Sequence, residues 1–136
     1  MRAVLDTNVL VSGMINAHGA PGRIVDLLRA GALQPVVDDR ILAEYTDVLA
    51  REELQRYFTP ADRGDILEFL HKTAEHAAAQ TVITGLPDPD DGPFLEIALA
   101  AEAPLVTGNK KHFPPDKRRG TLVLSPAEFL TRFFAG

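Results

Sequence analysis

The sequence predicts an α/β fold of three layers, α/β/α, built on a central and mainly parallel sheet. Three observations point there. Short apolar segments of strand length alternate with stretches of helical period, the pattern of a sheet covered by helices. The chain has 136 residues, the size of one ordinary domain with room for a proper core. Its composition, 46% hydrophobic and 24% charged, is that of a globular protein. No repeat, low-complexity segment or long linker divides it, so residues 1–136 read as a single domain.

Ala3-Val4-Leu5 reads as the first strand, and Asn8 to Ile15 as a helix with Asn8 in the N-cap position. Gly19-Ala20-Pro21-Gly22 reads as a turn, followed by a helix from Arg23 to Ala30 that Gly31 closes. Gln34-Pro35-Val36-Val37 is a short strand. Arg40 to Arg51 has helical period, with Ile41, Tyr45 and Val48 on one stripe. Thr59-Pro60-Ala61-Asp62 opens a further helix, proline taking the first helical position. Gln80 to Thr84 is predicted as a strand. Pro87 to Pro93 is turn chemistry throughout. Phe94 to Ala101 is a helix apolar nearly all round, hence buried. Leu105-Val106-Thr107 and Leu122-Val123-Leu124 are the last strands. Ser125-Pro126-Ala127-Glu128 is a capping box that opens a terminal helix.

Several function classes are set aside by composition. There is no cysteine, so disulfides and thiolate metal sites are excluded, and any metal must be held by oxygen or imidazole. Met1 to Leu5 is apolar, but Asp6 and Asn8 interrupt it, which does not fit a signal peptide. No apolar run approaches the roughly 20 residues that span a bilayer. The expectation is a cytoplasmic protein without membrane contact. The net charge of −5 argues against gripping nucleic acid by bulk electrostatics. It leaves open an enzyme that meets phosphates through a bound cation held by carboxylates.

Ligands of open α/β sheets bind outside the carboxyl ends of the strands. Asp6 directly follows the first strand, and Asn109 follows Leu105-Val106-Thr107-Gly108, at the same edge. Asp91 stands at the start of the buried helix. Glu44 falls at the border of the apolar stripe of its helix, where a carboxylate needs a partner. Each has a plain alternative. Asp6 could cap the next helix, Glu44 could be solvated, Asp91 could complement a helix dipole for roughly 0.3–1 kcal/mol, and Asn109 could be a turn residue. Only the set changes the odds. Carboxylates within a few ångströms repel one another, and Mg²⁺ or Mn²⁺, which prefers oxygen ligands, would remove that repulsion and activate water.

At this point the residues resemble a known family. Leu5-Asp6-Thr7-Asn8-Val9-Leu10-Val11-Ser12 resembles the opening motif of PIN-domain nucleases. Asp88-Pro89-Asp90-Asp91-Gly92-Pro93-Phe94-Leu95-Glu96-Ile97-Ala98 resembles their second signature. Leu105-Val106-Thr107-Gly108-Asn109-Lys110-Lys111-His112-Phe113 resembles their strand and turn near the end of the domain. Leu124 to Leu130 is similar to the close of a bacterial subgroup that supplies toxin components of toxin–antitoxin pairs, the VapC-like proteins. The four blocks span nearly the whole chain in order. The resemblance implies a PIN-like fold, Mg²⁺ or Mn²⁺ as cofactor, and endonucleolytic cleavage of RNA. Asp6, Glu44 and Asp91 match its acidic ligands, Asp91 being taken rather than Asp90 for its distance from Phe94-Leu95. Thr7 and Asn8 match residues that support the first carboxylate, with Thr107 a further support. Where many members carry a fourth aspartate, this chain has Asn109, which adds no negative charge. Asp116 is the nearest later carboxylate.

Lys110, Lys111, Lys117, Arg118 and Arg119 form the densest positive stretch, with His112 among them. It is either a solvated loop or a set of phosphate contacts that hold RNA across the acids. His112 is expected to be polar surface rather than catalytic. By analogy the partners are an RNA substrate, a cognate antitoxin covering the acidic groove, and a second copy of the chain. Phe129, Leu130, Phe133 and Phe134 fit core better than interface. The alternative to an endoribonuclease is a catalytically weak or inactive PIN-like module that binds RNA or protein, for which Asn109 is the motive. A phosphatase or phospho-acceptor domain ranks last. Asp6 is followed by Thr7-Asn8 rather than by a second aspartate one residue on, and no acidic pair precedes Asp38-Asp39 at the first strand.

Overall fold

In the computed structural model, which describes residues 1–135, five strands form one sheet: β1 (Arg2–Leu5), β2 (Gln34–Val37), β3 (Glu75–His76), β4 (Leu105–Val106) and β5 (Val123–Leu124). Their order is β3-β2-β1-β4-β5 and every pairing is parallel. The chain winds outward from β1 through β2 to β3, then returns to lay β4 on the other side of β1. That reversal leaves a crevice at the carboxyl ends of β1 and β4.

The described residues form six α-helices: α1 (Thr7–Ile15), α2 (Ala20–Arg29), α3 (Asp39–Leu49), α4 (Pro60–Thr73) and α5 (Gly92–Ala101) lie in the connections between strands, and α6 (Pro126–Phe134) follows β5. Alternation along β1 divides the interior between the two faces of the sheet. Val4 joins a core with Ile41, Tyr45, Leu70, Phe94 and Ile97 from α3, α4 and α5. Ala3 and Leu5 join a second core with Ile24, Leu28, Phe129 and Leu130 from α2 and α6. Helix α1 serves both, through Leu10 in the first and Val9 in the second. It lies close on α2, since a Cβ on Gly13 would stand 2.5 Å from the Pro21 carbonyl oxygen. Phe129 is fully buried and Leu130 nearly so, whereas Phe133 is exposed. The three-layer architecture with a parallel sheet is the one the alternation predicts.

Local chemistry moves several boundaries. The Asp6 side chain, not that of Asn8, caps α1 by accepting from Thr7 N. Helix α2 already begins at Ala20, and the expected turn is its first turn, with proline near the start, where its missing N–H costs nothing. Gly31 does follow the helix at φ +77°, in the left-handed region. Thr59 and Ser125 both form the full reciprocal capping box. The predicted strand over Gln80–Thr84 is absent. Glu75–His76, the first extended residues beyond α4, take the free edge of β2, and Arg2 fastens them through two hydrogen bonds to Glu75 at 2.8 and 2.5 Å. Residues 80–84 pack instead as a loop, in which Val82 is 75% exposed while Ile83 is buried over α5. No helix of the described residues is long and apolar enough to cross a membrane.

Candidate active site

Asp6 stands between the end of β1 and the start of α1, which sets its carboxylate at the crevice. It is nearly buried. Thr7 N donates to Oδ1 at 2.8 Å, and Thr107 Oγ1, from the end of β4, donates to Oδ2 at 2.8 Å. Asn8 Nδ2 lies 3.4 Å from Oδ2, while its Oδ1 accepts from Gly108 N at 3.0 Å. Asn8 thus ties the loop after β4 to the first turn of α1. Beneath the site, the buried Tyr45 donates its hydroxyl to the Leu5 carbonyl at 2.6 Å and keeps the end of β1 in place.

Glu44 reaches the same cleft from α3, four residues along the helix from Val48 and one before Tyr45. The Thr7 hydroxyl donates to its carboxylate. Asp91 arrives from the opposite wall. Asp88 caps a 3-10 turn over Pro89–Asp91, accepting from Asp90 N at 3.0 Å, and this turn runs directly into α5. Asp91 is buried and its Oδ2 stands 2.8 Å from His112 Nδ1, while Asp90 remains exposed at the rim. Asp6, Thr7, Asn8, Glu44, Asp88, Asp90, Asp91 and His112 line one open cleft of about 480 Å³, with Val11, Val48 and Leu54 as its apolar wall.

Electrostatics record the crowding. Burial raises the Asp6 carboxyl above the usual range in spite of its donors. Glu44 is raised by burial, then by the charges of Asp6 and Asp90. Asp91 is pushed up to about 6 by burial and by the charges of Asp6 and Asp88. Among the described residues no lysine or arginine forms an ion pair with Asp6, Glu44, Asp88 or Asp91. Carboxylates packed this way, with no lysine or arginine bonded to them and no thiolate in the chain, are a donor set suited to a divalent cation. Asp88, Asp91 and His112 each offer one ligand atom, all lying within 4.8 Å of one another.

The fold therefore brings together Asp6, Glu44 and Asp91, with Thr7, Asn8 and Thr107 bonded around the first two. Asn109 meets this set through its backbone. Asn109 N is tied to Thr107 Oγ1 at 3.0 Å, and its side chain is not among those lining the cleft. Asp116 is exposed on a separate 3-10 turn, Pro115–Lys117.

The expected basic surface is scattered. Lys110 is engaged with Glu128 at 2.7 Å, and Arg118 Nε is turned back onto the Phe113 carbonyl at 2.7 Å. Lys117 Nζ lies against Gly85, and Lys111 is exposed. Arg119 lines a hollow with Pro104 and Leu122, just ahead of β4 and β5, at the opposite edge of the sheet. A short loop that reverses direction cannot keep five cations spread over residues 110–119 on one face. Arg51, beyond the end of α3, is the arginine that does line the cleft.

Asp88, His112 and Arg51 were not legible as site residues. The histidine carried one signal: it lies within the third motif, where the 3-10 turn Lys110–His112 follows Asn109. Expected at the polar surface, His112 is partly exposed and stands in contact with Asp91.

Comparisons with known proteins agree with this architecture. A family model described as the PIN domain matches residues 2–111. An uncharacterized protein of Methanocaldococcus jannaschii is 29% identical over 111 residues, spanning 81% of this chain and 72% of its own length. Among solved structures, the crystal structure of VapBC2 from Rickettsia felis bound to a DNA fragment from their promoter contains a similar chain. That likeness has a TM-score of 0.61 at 20% identity, and covers 92% of this chain and 98% of the other.

Proposed function

The chain belongs to the PIN domain family, and from that premise we propose that it is a Mg²⁺- or Mn²⁺-dependent endoribonuclease, the toxin of a toxin–antitoxin pair. One observation carries the reading: Asp6, Glu44 and Asp91 converge from three separate elements on one cleft, and among the described residues no lysine or arginine is ion-paired with any of them. When bound there, a divalent cation would neutralise the phosphodiester and lower the pKa of water. Asp6, Glu44 and Asp91 would hold it. Thr7, Asn8 and Thr107 orient the Asp6 carboxylate and spare the site that reorganisation. Arg51 at the mouth supplies a phosphate contact. The open shape suits an extended single strand better than an enclosed small molecule. The reading of a weak or inactive module rests on Asn109, and it loses force because Asp88 and His112 bring further donors to the place the fold makes for a cation.

The antitoxin reading is supported by likeness to VapBC2 in fold and by the cleft's composition. An apolar wall beside unpaired carboxylates fits a segment with an apolar anchor and a basic residue. Co-expression with a cognate antitoxin is then expected to suppress cleavage.

The direct test is cleavage of single-stranded RNA by the purified chain. Activity is expected with Mn²⁺ or Mg²⁺, is abolished by EDTA, and falls at least about a hundredfold in Asp6→Asn while the circular dichroism spectrum is kept. A variant that cuts as fast as the parent would remove Asp6 from the mechanism and the nuclease assignment with it.

A further inference from the structure

We infer that His112 is a nitrogen ligand to the divalent cation of this cleft, and that with Asp88 and Asp91 it makes the site favour a first-row transition ion such as Mn²⁺ over Mg²⁺. This rests on the metal-dependent reading above and specifies the donor set.

The geometry is that of neighbouring ligands. His112 Nδ1 and Asp91 Oδ2 are 2.8 Å apart. Two donors in adjacent positions of an octahedral ion, with bonds of about 2.1 Å, stand about 3 Å from each other. Adding one carboxylate oxygen of Asp88 keeps every separation within 4.8 Å. Donors on opposite sides of such an ion are about 4.2 Å apart, so modest side-chain rotation closes the set. The three residues come from two rigid pieces. Asp88 and Asp91 flank the 3-10 turn that leads into α5, and His112 ends the 3-10 turn after β4. Lys110 is occupied by Glu128, and Lys111 is exposed. Nothing else among the described residues neutralises the pair of carboxylates.

An imidazole could serve only to hold Asp91 by a hydrogen bond. The two roles differ in chemistry. Mg²⁺ binds oxygen almost exclusively, whereas imidazole is a good donor to the later divalent ions. A ligand role therefore ties His112 to metal preference, and a hydrogen-bonding role does not.

The test uses the full chain with Mn²⁺ alone, and reads binding rather than activity. Free Mn²⁺ is titrated by its electron paramagnetic resonance signal, and the bound ion is then examined by electron spin echo envelope modulation. Coupling to a directly coordinated ¹⁴N is expected in the parent protein. His112→Gln is expected to lose that coupling and to bind Mn²⁺ roughly tenfold or more weakly, with a smaller change for Mg²⁺. His112→Asp is expected to bind without the nitrogen signature and with the preference for Mn²⁺ reduced. Bound Mn²⁺ without nitrogen coupling in the parent overturns the inference and leaves the nuclease reading standing, and this needs no variant to fold. Absence of Mn²⁺ binding overturns both. Cleavage indifferent to Asp6→Asn, with the nitrogen signal present, overturns the nuclease reading alone.

Discussion

The hydroxyl of Thr107 donates to Asp6 Oδ2 at 2.8 Å and accepts the Asn109 N–H at 3.0 Å. One buried side chain at the end of β4 therefore aims the carboxylate at the end of β1 and anchors the turn that follows. Thr107→Val keeps the shape and removes the hydroxyl, leaving an N–H without its partner and Asp6 with a looser orientation. A loss of about 1–3 kcal/mol in urea unfolding is expected, together with a fall in kcat of tenfold or more. Thr107→Ser is expected to recover most of both. Equal kcat for the valine variant and the parent would show that the hydroxyl serves folding only.

The acidity of the cleft gives stability a pH dependence with a definite sign. Asp91 rises from its ordinary value of 3.8 to about 6 on folding. The native state thus holds this proton more tightly than the unfolded chain does. Its contribution is fully present below about pH 4 and is lost as pH rises through about 6. Asp6 and Glu44 shift in the same direction. Glu128, Glu75 and Asp62 are lowered, so their contributions are constant above pH 5. In EDTA, Tm is expected to fall between pH 5 and pH 7.5. Asp91→Asn should flatten the slope and gain about 1–2 kcal/mol at pH 7.5. Saturating Mn²⁺ is expected to restore the parent's Tm at neutral pH. A parent protein that gains stability over that interval in EDTA would contradict the assignment of strain to these carboxylates.

Glu96 is buried on the otherwise apolar α5, where it accepts from Arg40 Nη1 at 2.9 Å and from Ile83 N at 3.0 Å. It fastens the loop that precedes Asp88 to the start of α3. Glu96→Ala strands a buried N–H and releases that loop. We expect a loss of about 2–4 kcal/mol in chemical unfolding. Faster amide exchange should be confined first to residues around 80–88. Weaker Mn²⁺ binding should follow, although Glu96 is no ligand.

Arg51 lines the cleft and Arg119 lies at the opposite edge. Arg51→Ala is expected to raise KM for RNA roughly threefold to tenfold and to lower the salt dependence of binding by about one phosphate contact, with kcat little changed. Arg119→Ala should leave both unaltered. The reverse ranking would place the substrate on the loop after β4.

The sequence by itself determined what depends on nearest neighbours along the chain. Alternation of apolar segments specified the parallel sheet, and the capping boxes at Thr59 and Ser125 set two helix starts. The motifs offered Asp6 and Asp91 as candidates, the border of the apolar stripe and the resemblance offered Glu44, and the fold sets all three around one cleft. Its errors came where a distant partner decides. Gln80–Thr84 has strand composition, but Glu75–His76 reaches the free edge of β2 first, so those residues became the loop that Glu96 holds. His112 and Asp88 are ordinary turn residues in sequence. Only when β4 docks beside β1 does the turn after it fold His112 back within 2.8 Å of Asp91. The same reversal of the chain carries Arg119 to the far edge and disperses the basic stretch. Local pattern chose the elements, because capping and burial are short-ranged. The composition of the cleft waited on the sheet order, because a site at the switch point between β1 and β4 is assembled from segments about a hundred residues apart.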